Sequence, residues 1–119
     1  MNIEALWAVQ FTGANGVRMA KSGGVIVTET DRIFGGDTWM WYTGSYHREG
    51  EGRFAVRIQT GVHNQTGGES IFGGPLRAMV LLGEFQVAKD MQTATANLTV
   101  EGQPAMKLTA TLTRRAELP

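Results

Sequence analysis

Apolar and polar positions alternate with a period of two along most of this chain. That is the spacing at which successive side chains point to opposite faces of a strand. Ala5, Trp7, Val9 and Phe11 alternate with Glu4, Leu6, Ala8 and Gln10, and the polar stretch 13–16 ends the run. Val25 and Val27 alternate with Ile26 and Thr28. Thr30-Asp31 predicts a turn and Arg32-Ile33-Phe34 a short return strand. Gly35, Gly36 and Asp37 predict a further structural turn, with Asp37 bonding its own backbone two residues on. An aromatic strand then runs over 39–46.

The segment 47–52, His-Arg-Glu-Gly-Glu-Gly, predicts a charged hairpin loop. Beyond it Phe54, Val56 and Ile58 alternate with Ala55, Arg57 and Gln59, the clearest pattern of one buried face in the chain. Residues 61–76 predict the longest loop, 78–87 a strand, and Lys89-Asp90 a turn. In 93–100 threonines and Asn97 alternate with Ala94, Ala96, Leu98 and Val100. Gly102-Gln103-Pro104 predicts a turn, Met106 to Thr113 a last alternating strand, and 114–119 a polar tail. The motif Ile-Phe-Gly-Gly occurs at 33–36 and 71–74 with unrelated flanks, which reads as repeated turn chemistry.

About eight strands with short connections predict an all-β, antiparallel, up-and-down barrel or a closed sandwich. No stretch carries a sustained helical stripe, and the connections are too short for the crossovers of a parallel sheet. The length, 119 residues, is that of a single domain spanning 1–119.

Composition narrows the function. Eleven Lys and Arg balance eleven Asp and Glu, so little counterion release is available and direct nucleic-acid binding is not expected. The absence of cysteine excludes disulfides, thiolate metal sites and cysteine nucleophiles and suits the cytoplasm. The first residues lack the basic region of a signal peptide, and the longest apolar run, 78–83, is too short to cross a membrane as a helix.

The candidate chemistry is sparse. The glycine doublets form no phosphate-binding motif. His47 and His63 lack the spacing of metal ligands, although His63 with Glu69 could make a loop site. Glu49 and Glu51 read as a solvated turn rather than an acid–base pair. Ser22, Ser45 and Ser70 lie in no nucleophile motif. The expectation is therefore a non-enzymatic protein with no catalytic residue, metal or cofactor.

The aromatics remain. In 39–46, Trp39, Trp41, Thr43 and Ser45 share one face, and Met40, Tyr42, Gly44 and Tyr46 share the other. Both faces are bulky. An interface with a second chain comes first, since Trp, Tyr and Met are enriched there. A covering loop comes next and an apolar ligand last. Trp39, Trp41, Tyr42, Tyr46, Glu49 and Glu51 are the candidate partner or dimer contacts. Trp7, Val9, Phe54, Val56, Ile58, Met106 and Leu108 are candidates to line a barrel cavity for a small apolar ligand or lipid.

The order GGVIV, DRIFGGD and YTGSY, with the ending LTRRAELP, resembles the GrlR-like family over essentially the whole chain. Gly35-Gly36-Asp37, Tyr42-x-Gly44 and Leu112 to Pro119 are its most specific pieces. The resemblance implies an eight-stranded, lipocalin-like barrel that forms a homodimer. It also implies negative regulation of type III secretion by protein contact, through sequestration of a transcriptional activator and an acidic surface motif. The matching hairpin here retains Glu49 and Glu51, separated by Gly50 and preceded by Arg48.

Overall fold

The alternating segments close into one sheet. In a computed structural model, which describes residues 3–14, 17–64, 68, 70, 72 and 76–118 and of 17–22 only the backbone, eight strands follow in chain order. They are β1 (Ala5–Ala14), β2 (Val17–Glu29), β3 (Arg32–Gly36), β4 (Met40–Gly50), β5 (Arg53–Val62), β6 (Met79–Val87), β7 (Thr93–Val100) and β8 (Gln103–Glu117). Each pairs antiparallel with the next, and β8 pairs back onto β1 to close the barrel. Closure leaves no strand edge for another chain to extend. The described residues include no helix, hence none long and apolar enough to cross a membrane.

Alternation fills the interior. Trp7, Ile33, Leu108 and Leu112 are at most 2% exposed, and Phe54, Val56, Ile58, Leu81 and Phe85 join them. The Trp7 indole needs a polar partner there. Its Nε1 donates to the Ile3 carbonyl at 3.2 Å and to Thr28 Oγ1 at 3.1 Å, while the Thr28 hydroxyl donates to the same carbonyl.

Several connections are tighter than the sequence predicts. The 47–52 loop is in fact the end of β4 and a two-residue turn, Glu51-Gly52, with Gly52 at φ 70°. Gly35 and Gly36 are not turn residues: they end β3, paired with Ile26 and Val25 on one side and Tyr42 and Trp41 on the other. A Cβ on Gly35 would run into the Val25 carbonyl oxygen, so glycine here permits close approach of strands. Asp37 alone carries the turn. Likewise Gln103 and Pro104 already belong to β8, and the turn is Glu101-Gly102. The tail also becomes strand: Arg114, Ala116 and Glu117 pair with Trp7, Leu6 and Ala5. Hydrogen-bonding groups of β1 would otherwise be left without a partner, which outweighs the polar character of these residues.

Candidate functional site

The register of β4 decides which way its aromatics point. Met40, Tyr42 and Tyr46 are buried in the barrel, whereas Trp41, Thr43 and Ser45 face out. Tyr42 and Tyr46, expected among the partner contacts, are therefore interior groups at 9% and 7% exposure. The Tyr46 ring meets Phe54 edge-on, with centroids 5.9 Å apart. Trp39 precedes the strand and packs, half-buried, against the core.

Trp41 is 40% exposed. Its pair on β5 is Gly61, and the indole lies over that glycine so closely that a Cβ there would meet the ring. A glycine covered by a cross-strand aromatic regains the packing that its missing side chain forgoes.

Beyond Trp41 the outer surface stays apolar. Pairing across the strands sets Leu6, Val27, Phe34 and Thr43 in one row and Ala8, Val25, Gly36 and Trp41 in the next. Val25 and Phe34 are 48% and 45% exposed. Diagonal neighbours on a sheet lie within reach of aromatic side chains, so Val25, Phe34 and Trp41 form one patch. Of these three, only Trp41 is among the contacts expected from the sequence; Val25 and Phe34 join it through strand pairing.

Glu49 and Glu51 lie at the opposite end of β4, both exposed, with Glu49 Oε1 3.0 Å from His47 Nε2. Eight residues separate Glu49 from Trp41, about 26 Å at ~3.3 Å per residue. The acidic hairpin and the apolar patch are thus separate features.

At the other mouth Asp37 organises the chain. Its Oδ1 accepts from the backbone N–H groups of Trp39 at 2.9 Å and Met40 at 2.8 Å, which is the turn role predicted for it. Its Oδ2 accepts from the Tyr42 hydroxyl. Loss of water contact pushes the Tyr42 phenol well above its usual range, and the hydrogen bond and negative charge of Asp37 push it further. His63 belongs to the same structure: its Nε2 lies 3.0 Å from the Asp37 carbonyl oxygen, and its N–H donates to the Trp39 carbonyl at 2.9 Å. Glu69, its suggested partner, and most of the second Ile-Phe-Gly-Gly motif lie outside the described residues. Among the described residues no three His, Asp or Glu side chains group to hold a metal.

The predicted cavity residues all turn inward, with Met106 half-buried at the margin. They mostly fill the space rather than border it. Val9, Ile58 and Leu108 line an apolar chamber of about 40 Å3, together with Phe11, Tyr42 and Leu81. Trp7, Phe54 and Val56 are packed into the core. A second chamber of about 50 Å3 lies nearer the Asp37 mouth.

Fold and surface together define a closed eight-stranded antiparallel barrel with a nearly filled interior and an exposed apolar patch on one flank. Comparison of the chain with protein-family models and with curated proteins finds no match.

Proposed function

We propose that this chain is a non-enzymatic, cytoplasmic binding protein, a homodimeric negative regulator that acts through protein–protein contacts. The observation that carries this reading is the continuous apolar patch of Val25, Phe34 and Trp41 on the outside of a rigid sheet. Scattered apolar residues are normal on a protein surface; three large ones on adjacent strands in neighbouring rows, with Leu6 and Val27 beside them, form a surface suited to burial. Two copies associate through this flank. The Glu49–Glu51 hairpin at the far end of β4 stays accessible to a protein partner, in line with the GrlR-like resemblance and its transcriptional activator.

The lipid-carrier reading has less support. Chambers of about 40 and 50 Å3 compare with roughly 300–1,000 Å3 for ordinary small-molecule sites.

Sedimentation velocity at tens of micromolar tests the proposal. The wild type sediments as a dimer, and Phe34→Lys shifts it to a monomer while the β-sheet circular dichroism is unchanged. A monomeric wild type, or a Phe34→Lys variant that still dimerises, overturns it.

A further inference from the structure

On the outer flank the strand register orders size and charge as well as apolar character. Between β2 and β3 the outward Cα partners are Val25 with Gly36, Val27 with Phe34, and Glu29 with Arg32. The residues between them, Ile26, Thr28 and Ile33, are buried, so these pairs are successive rungs on the outer face. Every rung joins unlike members. Twice a larger side chain stands beside a smaller one, and once an acid stands beside a base. Ala8 on β1 and Trp41 on β4 extend the Val25–Gly36 rung, again small against large. Glu29 and Arg32 are both exposed. Glu4, whose Oε2 accepts from the Thr30 N–H at 2.9 Å, adds a second acid on the β2 side. That end of the flank is thus acidic toward β1 and β2 and basic at β3.

Such a face is complementary to itself under one particular symmetry. A two-fold axis lying in the interface, parallel to the strands and midway between β2 and β3, sets β2 of one copy over β3 of the other. Each rung then meets its own reversal. Val25 faces the partner's Gly36, Phe34 faces the partner's Val27, and Glu29 faces the partner's Arg32. The four charges alternate in sign around the axis. Because the barrel is convex, the gap widens away from the axis, and the Trp41 indole is large enough to fill it opposite the partner's Ala8. An axis across the strands, through the Val27–Phe34 rung, would instead press Glu29 onto the partner's Val25 and Arg32 onto the partner's Gly36. That desolvates charge against groups that cannot pair with it.

We propose that two copies of this chain pack their flanks about a two-fold axis between β2 and β3, with Glu29 of each paired to Arg32 of the other. This rests on the dimer reading above and adds its symmetry and the residues that fix its register. Acid and base side by side also select for a second copy, since a uniformly acidic or uniformly basic partner surface meets a like charge at one of them.

Two charge-reversed chains test it by sedimentation velocity, with circular dichroism confirming the sheet in each. Glu29→Arg alone sets arginine on arginine across the axis, and Arg32→Glu alone sets glutamate on glutamate. Each variant's dimer dissociation constant therefore rises by about tenfold or more. Mixed in equal amounts, the two variants regain both opposite-charge contacts and form a heterodimer close to wild-type affinity. A second readout needs no substitution. In a wild-type dimer of mixed isotope labelling, a filtered NOE experiment detects the Val27 methyls of one copy against the Phe34 ring of the other. A wild type that is monomeric at tens of micromolar overturns the dimer reading and this proposal with it. A dimeric wild type overturns the axis alone if either single variant associates equally well, if mixing the variants restores nothing, or if the Val27–Phe34 contact between copies is absent.

Discussion

Replacing Tyr42 with phenylalanine removes one oxygen from the barrel and tests how the Asp37 mouth is held. The ring and its packing stay, while Asp37 Oδ2 loses a buried donor. A hydrogen bond to a charged group contributes about 1.5–3 kcal/mol. Asp37 keeps two backbone donors through Oδ1, so the lower half of that range, about 2 kcal/mol at pH 7, is expected. With a urea slope of about 2 kcal/mol/M, the unfolding midpoint falls by about 1 M.

The same hydroxyl gives a pH signature. Its folded pKa is raised above the unfolded value of about 10, chiefly by burial and then by Asp37. The unfolded chain therefore loses this proton first as pH rises. The contribution is fully present below pH ~10 and declines above it by about 1.4 kcal/mol per pH unit. Burial also raises Tyr46, but wild type and variant share that term. The gap between them, measured by urea unfolding, should therefore narrow by about 1.4 kcal/mol between pH 7 and pH 11. A gap of the same size at both pH values refutes a Tyr42 kept protonated in the fold.

Three further substitutions probe other parts of the argument. Gly61→Ala forces the Trp41 ring off the sheet: its fluorescence shifts to the red, and stability falls by about 1 kcal/mol if roughly 40 Å2 of ring is uncovered at ~25 cal/mol/Å2. Thr30→Asn should stabilise by about 0.5–1 kcal/mol in thermal unfolding. Thr30 and Asp31 stand at φ 49° and 65° in the two-residue β2–β3 turn, a conformation costly for a β-branched residue and favourable for Asn. The bond from the Thr30 N–H to Glu4 Oε2 at 2.9 Å uses the backbone and survives. Trp7→Phe leaves a void and strips the indole donor from Ile3 and Thr28, a loss of about 2–4 kcal/mol by urea unfolding.

The alternation of apolar and polar side chains was enough to determine strands and antiparallel pairing, because a strand with one apolar face has few ways to bury it; the pairing of β8 with β1 decides for the barrel over the closed sandwich. It also identified the inward set on β5, β7 and β8, where the other face is largely polar. It erred where backbone pairing outranks side-chain character: polar Arg114 to Glu117 become strand because β1 needs a partner, and Gly35 and Gly36 stay in β3 because neighbouring strands press close.

On β4 the pattern could not choose, since both faces are bulky. Tertiary structure chose, setting Trp41 over Gly61 on the outside and the Tyr42 hydroxyl on Asp37 within. Antiparallel pairing of β2, β3 and β4 brings Val25, Phe34 and Trp41 onto one flank, and barrel closure sets β8 beside β1. Which of two bulky faces turns inward is set by the register a strand takes with its neighbours, and spacing along a single strand carries no information about that.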